Sequence, residues 1–371
     1  RRSSDLLLRN NPNECKSSAK IYNVSSETEF KKIFFEKLHL FKIKANLSDY
    51  SDLNERYFKT TDTVIFSDNK VVFDTIPKYI FKKLSDRLFE EAFSESELLQ
   101  KNCELEEISS ALRFNITDVY NEIKNDLGLS IIDEGNIQKI LSDEKLQRFK
   151  SLIDSKFNNE TLVELLNYFE TRDDKKIFEL VTDNATIPTI FEYILGIIWY
   201  KISNYKGNIL KYMNLSLEAD LLPKTHACGG DADIVYEYDE TEFYPKHNML
   251  IEATLMDEST QRRGEMEPVS RHLGNHILKT GQKAYCTFIS PYLDINVLTH
   301  FRSLKHMGYY DSQNHNNHVP SLKVVPVKTK ELKTILRKGT KYNELYSIMD
   351  NAFEAESPIP TWYDNELVAN L

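Results

Sequence analysis

The chain has 371 residues, of which 41% are hydrophobic and 28% charged, and its net charge is −10. This length allows two or three compact domains, while eleven Gly and eleven Pro are too few for a disordered or collagen-like chain. Residues 1–90 carry a net charge of +4 (17 Lys and Arg, 13 Asp and Glu), and the remainder carries −14 (30 and 44). A basic front and an acidic back are compatible with a DNA-contacting module joined to a carboxylate-rich one, although solvated charged helices are the commoner explanation.

The sequence lacks the motifs of nucleotide-driven enzymes and of exported or membrane proteins. It has no Walker-type phosphate loop, no GxGxxG and no signal peptide. The longest apolar run, 187–202, contains Glu192 and Lys201 and is too short and too polar to span a bilayer. Four cysteines are scattered without a CxxC pair: Cys15, Cys103, Cys228 and Cys286. We therefore expect reduced thiols in a cytoplasmic protein with no membrane partner, and the start at Arg1 suggests a processed chain or a piece of a longer protein.

The first elements in chain order are a helix and a hairpin. Apolar residues recur every three or four positions over 29–47, which predicts a helix. Two apolar triplets, 64–66 and 71–73, then flank a polar turn at 67–70, which predicts a β-hairpin. A helix followed by a two-stranded hairpin is typical of the end of a winged helix, and a generic packing hairpin is the alternative.

Residues 80–180 read as charged helices, and the pattern changes after Thr186. Pro188 suits the first turn of a strongly apolar helix that we expect to run through Tyr205. Strands and helices then alternate, with strands near 231–238, 249–255, 284–289 and 323–327 and helices at 268–278, 295–304, 328–336 and 342–353. This alternation predicts an α/β (α+β) fold with a mixed sheet flanked by helices.

Two of the predicted strands each carry a carboxylate. Because side chains alternate along a strand, Asp233 shares a face with Val235, and Glu252 shares one with Leu250 and Thr254. Carboxylates on neighbouring strands are how proteins hold Mg²⁺ for phosphodiester chemistry, since this ion prefers oxygen ligands. The order of Asp, a connection and then Glu-x-x is the skeleton of the PD-(D/E)xK nuclease core, with Thr254 in the usual Lys place. For Glu252 alone, a strand-end acid in a salt bridge is an equally compatible alternative.

Further charged residues lie on the helices around these strands. Glu192 is placed among apolar neighbours, and burying an ionised Glu is costly unless it is paired or near a metal, so it either faces solvent or belongs to such a site. Glu267 lies four residues before Arg271 and can pair with it, whereas Glu265 lies just outside the helix. Four cationic side chains could hold a phosphate or simply solvate a helix terminus: Arg262, Arg263, Arg271 and His272.

Several separated blocks, in order, resemble one known family. "PKTHACGGDADIVYEY", "MLIEATLMDESTQRRGEMEPVSRH" and "AYCTFISPYLDINVLTHF" resemble the cleavage domain of the AlwI-type family of type IIS restriction endonucleases. The resemblance implies a PD-(D/E)xK-like centre in which Asp233, Glu252 and the Ala253 carbonyl hold Mg²⁺. It implies further catalytic acids at Glu265 and Glu192, and Thr254 is no departure because the family also has Thr there. We expect the scissile phosphate to be held by Arg263, Arg271 and His272.

The resemblance also implies an order of modules. "RYFKTTDTVIFSDNKVVFD" resembles the segment that closes the family's DNA-recognition region, which favours the winged-helix interpretation. We therefore assign residues 1–90 to part of a winged-helix-like recognition region, 91–180 to a helical linker and 181–371 to the cleavage domain. Upstream of about Asn46 we find little resemblance, which suggests a truncated chain or a compact relative.

These observations predict a Mg²⁺-dependent type IIS endonuclease that cuts double-stranded DNA at a fixed offset from its recognition site. Cutting both strands would require a homodimer or a partner subunit. The alternatives are a non-cleaving DNA-binding specificity subunit, a strand-specific nicking endonuclease and, more distantly, a repair-type nuclease without a recognition site.

Overall fold

The computed structural model describes residues 24–41, 43–59, 61, 63–67, 70–91, 107, 110, 113–127, 134–226 and 232–371. The chain divides into two compact units, residues 1–78 and 79–371. Some features named above lie outside the described residues, namely Cys15, Cys103, Cys228 and positions 68–69 of the predicted turn. Cys286 is a buried free thiol.

The first unit contains the predicted hairpin. Its elements are α1 (Glu27–Phe41), α2 (Ile43–Lys59), β1 (Val64–Ser67) and β2 (Lys70–Phe73). The two strands pair antiparallel with Val64 opposite Phe73, which confirms the hairpin. The helix expected over 29–47 is part of two helices that reach Lys59, and the winged-helix assignment stays a prediction.

Helices and two short strands precede the main sheet along the chain. The helices are α3 (Thr75–Glu91), α4 (Ile116–Leu127), α5 (Glu134–Lys156), α6 (Asn159–Thr171), α7 (Asp174–Leu180), α8 (Ile187–Ile202) and α9 (Ile209–Tyr212). The strands β3 (Leu215–Leu217) and β4 (Pro223–His226) pair antiparallel. The predominance of helices over 80–180 agrees with the sequence pattern in the part of this segment that the structure describes.

The remainder of the chain alternates strands with helices. The strands are β5 (Ile234–Tyr238), β6 (His247–Ala253), β7 (Ala284–Ser290), β8 (Tyr309–Tyr310), β9 (His318–Val319) and β10 (Val324–Lys328). The helices are α10 (Glu258–Gly264), α11 (Met266–Thr280), α12 (Ile295–Ser303), α13 (Thr329–Lys338), α14 (Tyr342–Glu354) and α15 (Ile359–Trp362), followed by a π-turn at Tyr363–Leu367 and a 3-10 turn at Val368–Asn370.

Four of these strands form the mixed sheet that the sequence predicts, in the order β10-β7-β6-β5. β6, β7 and β10 are mutually parallel, and β5 is antiparallel to β6 at the edge. Met249 and Ile251 of β6 enter the core that contains α8, whereas Leu250 enters a second core with α11 and α12. This confirms the predicted alternation and places Glu252 on the face that α11 covers.

Helix α8 is the central element of the larger core. Thr186 caps its N-terminus by accepting a hydrogen bond from the Thr189 N–H, and nearly every side chain from Ile187 to Ile202 is buried. The expectation that the helix reaches Tyr205 is wrong, because Asn204 and Tyr205 adopt left-handed backbone angles (φ 54° and 56°) that end it at Ile202. No helix among the described residues is both long and apolar enough to cross a membrane.

The larger core extends back along the chain beyond α8. Phe149 and Ile153 of α5, Phe169 of α6 and Ile177 of α7 are buried in it together with residues of the sheet. Residues 149–180, which the sequence assigns to a linker, therefore share a hydrophobic core with the sheet. The functional division of the chain at residue 181 stays a prediction.

Close approach of the Met213 side chain to α8 depends on Gly196. A Cβ at this position would lie 2.5 Å from Met213 Sδ and 3.6 Å from Ile234 Cδ1, and both side chains are buried. We expect Gly196→Leu to lower the free energy of unfolding by about 1–3 kcal/mol, because overpacking outweighs the gain in helix propensity. Urea denaturation of parent and variant measures this difference.

A compensating double variant controls for this prediction. Met213→Ala removes the side chain that the introduced leucine would meet, so the double variant should recover part of the lost stability relative to the sum of the single changes. If Gly196→Leu unfolds at the same urea concentration as the parent, the close approach is not a constraint on the fold.

Candidate active site

The ends of β5 and β6 bring the first two predicted acids together. Ile234 pairs with Ile251 across the antiparallel strands, so Asp233, just before β5, adjoins Glu252 near the end of β6. The Ala253 N–H donates a hydrogen bond of 2.8 Å to Asp233 Oδ2. The main chain of Asp233 is fixed in turn, because its carbonyl accepts from the Asn214 N–H at 2.9 Å. The two strands therefore hold the carboxylates side by side on the α11 face.

His272 contacts the second carboxylate from α11. Glu252 is only 6% exposed, and its Oε1 lies 2.9 Å from His272 Nδ1. A buried carboxylate requires such a hydrogen-bond donor. His272, predicted as a phosphate ligand, thus lies in the site and holds Glu252; phosphate binding by this residue stays a prediction.

Glu265 joins the pair from the junction between α10 and α11. Its backbone N–H donates to the Gln261 carbonyl and its own carbonyl accepts from Val269, so the residue belongs to the end of one helix and the start of the next. Its half-buried carboxylate accepts a hydrogen bond from the Thr254 hydroxyl. The Thr in the usual Lys place therefore binds an acid of the site.

The carboxylates of the site share one electrostatic environment. Burial, together with the charge of Glu252, raises the pKa of Asp233 to about 7, against the opposing effect of the Ala253 N–H. Burial also raises the pKa of Glu252 well above its usual range, with further contributions from Glu265 and Glu192. The pKa of Glu265 is raised by burial. Perturbed acids in one cluster are a mark of functional sites.

The fourth predicted acid, Glu192, approaches the cluster from α8. Its charge raises the pKa of Glu252, and its side chain is half-buried rather than open to solvent. All four predicted acids therefore interact with at least one other member of the cluster.

The predicted arginines lie at the rim of the site. Arg271 pairs with Glu267 at 2.9 Å, which confirms the pairing expected from their spacing. Arg262 lies 3.5 Å from Asp294, and Arg263 is exposed on α10. Both ion pairs have at least one partner open to solvent, and such pairs contribute little. Their role toward a phosphate stays a prediction.

The donor set fits a small divalent cation. The side chains of Asp233 and Glu252 and the Ala253 carbonyl offer hard oxygen atoms, and Mg²⁺ is commonly bound by one or two carboxylates with water completing its shell. A cation there would stabilise the ionised forms of both acids, whose pKa values are raised by burial and by the neighbouring carboxylates. Among the described residues, no three His, Cys, Asp or Glu side chains are grouped to surround one metal ion, so two carboxylates would have to suffice.

Gln261 supports the site, although its only signal in the sequence is its place in the family-like segment "MLIEATLMDESTQRRGEMEPVSRH". The side chain is fully buried, and the two N–H groups of its amide are shared among Ser290 Oγ (2.8 Å), the Tyr292 carbonyl (2.9 Å) and the Met256 carbonyl (3.2 Å). From within α10, the helix whose C-cap is Glu265, the amide thus ties the chain after β6 to the end of β7.

Removing this amide should destabilise the second unit. Gln261→Leu leaves buried acceptors without their donor, so we expect a loss of about 1–3 kcal/mol in the free energy of unfolding. Thermal or urea denaturation measures the loss, and Gln147→Leu, at an exposed Gln on α5, is the matched control. Equal stability of the two variants would show that the Gln261 amide is dispensable.

The chain was compared with known families and structures. Residues 3–335 match a model described as AlwI restriction endonuclease. Among solved structures, the chain is similar to the small subunit (R.BspD6I2) of the heterodimeric restriction endonuclease R.BspD6I, with 21% identity and a TM-score of 0.38 over 54% of this chain and 94% of that one. No curated protein matches the chain.

The family match is more extensive than the sequence blocks indicate. It begins at residue 3, so the expectation that resemblance fades upstream of Asn46 is wrong. It also spans every strand of the mixed sheet and all four acids of the site. With about nine-tenths of its length matched in this way, the chain belongs to the AlwI restriction endonuclease family.

Proposed function

We propose that the chain is a Mg²⁺-dependent type IIS restriction endonuclease that hydrolyses double-stranded DNA at a fixed offset from its recognition site. Membership of the family identifies the chain as a restriction enzyme. Cleavage at a fixed offset and dependence on Mg²⁺ are what we propose in addition. One observation carries it: Asp233 and Glu252 meet at adjoining strand ends, with Glu265 close enough to raise the pKa of both. Burial and the neighbouring carboxylates raise the pKa values of these acids, and a bound cation would stabilise their ionised forms, as in a metal-dependent nuclease.

The residues of the site have different roles in the proposed hydrolysis. Asp233, Glu252 and the Ala253 carbonyl would hold Mg²⁺, which when bound supplies an activated water and neutralises charge on the phosphate. Glu265 accepts the proton of the attacking water, since its raised pKa makes the ionised form a stronger base than an exposed Glu. Glu192 adds negative charge beside Glu252 and so strengthens the hold on a cation.

The rim cations position the DNA. Arg263 is exposed, and Arg271 pairs with the exposed Glu267. Because such exposed ion pairs contribute little free energy, both arginines can turn toward a phosphate at little cost in stability. His272 orients Glu252 through its Nδ1 and adds a third polar side chain near the phosphate. One set of these acids serves one strand, so cleavage of both strands requires a second copy of the chain or a partner subunit.

Plasmid cleavage tests the proposal. The full chain is incubated with supercoiled plasmids of known sequence in Mg²⁺ and, in parallel, in excess chelator. We expect nicked or linear DNA only with Mg²⁺, and sequencing of the ends should place every cut at one distance from a shared sequence. Nicks in one strand alone would identify a nicking enzyme or a chain that needs its partner.

Other outcomes would contradict the proposal. Sequence-specific DNA binding without cleavage in Mg²⁺ would identify a non-cleaving specificity subunit. Cuts at unrelated sequences would identify a nuclease without a recognition site, and cleavage that survives the chelator would remove the metal from the mechanism.

A further inference from the structure

A cavity of about 250 Å³ lies beside the carboxylate cluster. Its apolar wall includes Val235 of β5 and Leu250 of β6, two residues along their strands from Asp233 and Glu252. Two residues of a strand span about 7 Å, so the cavity begins within one nucleotide unit of the acids. His272 lines the cavity and also contacts Glu252, so the two sites share a side chain.

The polar lining of the cavity is suited to an anion. Lys211, Asn214 and His276 join His272 there, and none of the nine lining residues is acidic, although the chain as a whole carries a net charge of −10. Lys211 is exposed at the end of α9 and forms no ion pair with any residue that the structure describes. A cation and polar side chains beside an apolar wall match a phosphate joined to a sugar.

The tautomer of His276 follows from its partners. The Asn248 amide nitrogen can only donate, and it lies 2.9 Å from His276 Nε2 and 3.2 Å from Gln282 Oε1. Nε2 therefore accepts, and the neutral ring carries its proton on Nδ1. Asn248 lies on the same face of β6 as Leu250 and Glu252, so the strand that holds the catalytic acid also fixes the ring of His276.

The size of the cavity limits its occupant. A volume of about 250 Å³ is room for one sugar-phosphate unit and not for a stretch of duplex. Its position on the sheet edge next to the acids puts that unit directly beside the phosphate that they would hold.

We propose that the cavity bounded by Lys211, Asn214, His272 and His276 binds the deoxyribose phosphate of the nucleotide next to the scissile phosphate, with Lys211 on the phosphate and Val235 and Leu250 against the sugar. The inference rests on the proposed function, because it takes Asp233 and Glu252 as the cleavage centre. Lys211 and His276 are then substrate-binding residues that the sequence pattern did not reveal. Their signal was available in part, since His272 and His276 are four residues apart on one helix face.

Binding of a small probe tests the cavity separately from cleavage. The full chain, with ¹³C-labelled histidine, is titrated with thymidine 3′,5′-bisphosphate in Mg²⁺ while the histidine side-chain signals are recorded. We expect His272 and His276 to shift and Lys211→Ala to weaken binding by about tenfold, because one charge-assisted phosphate contact is lost. Lys211→Arg should restore most of the affinity, and Lys206→Ala, at an exposed Lys of the same unit, is the matched control.

Two further arms identify the occupant. Thymidine without phosphates should not bind, and duplex DNA should displace the bisphosphate if the cavity serves the DNA strand. Unchanged affinity in Lys211→Ala, or shifts that spare both His272 and His276, would overturn the inference. Failure of DNA to displace the probe would also overturn it, since the cavity would then be a free-nucleotide site.

The proposed nucleotide site and the proposed cleavage activity can be contradicted independently of each other. A chain that binds the bisphosphate through Lys211 but does not cut plasmid DNA contradicts the proposed function and leaves the nucleotide site. A chain that cuts DNA in Mg²⁺ with the same KM and kcat in parent and Lys211→Ala contradicts the cavity and leaves the endonuclease.

Discussion

Asp233→Asn is expected to reduce Mg²⁺-dependent DNA cleavage to less than about 1% of the parent rate, since losing one of two acidic ligands removes at least a few kcal/mol of transition-state stabilisation. The variant should remain folded, because Asn keeps an oxygen that can accept the hydrogen bond from the Ala253 N–H. Initial rates of plasmid cleavage, with circular dichroism as the check on folding, measure the effect.

The control for this variant is another aspartate beside the same strand. Asp239 follows β5 at its opposite end and is exposed, so Asp239→Asn should cleave at the parent rate. Glu252→Gln should repeat the loss seen for Asp233→Asn. Cleavage near the parent rate by either acid variant would exclude the pair as the metal site.

Because the pKa values of these acids are raised in the folded chain, we expect them to lower the free energy of unfolding as the pH rises from mild acid to neutral. An acid whose pKa is higher in the folded chain binds a proton more tightly there, so its ionisation destabilises the fold. For Asp233, with a pKa raised from 3.8 to about 7, the penalty is absent below about pH 4 and complete above about pH 7. The full penalty is on the order of 4 kcal/mol at about 1.36 kcal/mol per pKa unit.

Comparison of parent and variant isolates this contribution. In excess chelator, Asp233→Asn should be more stable than the parent at pH 8, and the difference should shrink toward zero as the pH falls to about 4. Exposed acids with lowered pKa values, such as Asp257 and Asp311, act in the opposite direction but are common to both proteins. Urea denaturation at a series of pH values gives the curve.

Metal addition provides a second arm of this prediction. Mg²⁺ binds the ionised acids, so it should raise the melting temperature of the parent more at pH 8 than at pH 5, and more than that of Asp233→Asn. If the variant is no more stable than the parent at pH 8 without metal, burial and the neighbouring carboxylates do not raise the pKa of Asp233 in the folded chain.

Local pattern determined much of the site. Alternation along β6 put Glu252 and Leu250 on one face and Met249 on the other, and the structure confirms this arrangement. The mixed sheet and the pairing of Glu267 with Arg271 follow from the same kind of short-range rule, a period of two or a spacing of four. Separated sequence blocks identified the family because several motifs occur in the same order as in that family.

Long-range packing decided the rest. Nothing in the sequence around His272 says that its ring contacts Glu252, twenty residues earlier, or that the Gln261 amide joins the ends of β6 and β7. The cavity beside the acids is assembled from α9, two strands and α11, which no single stretch contains. The sequence by itself determined which side chains could carry the chemistry, because periodicity and residue type are local properties. Only the tertiary structure decided which of them meet and how strongly they repel, because distance and burial depend on segments far apart in the chain.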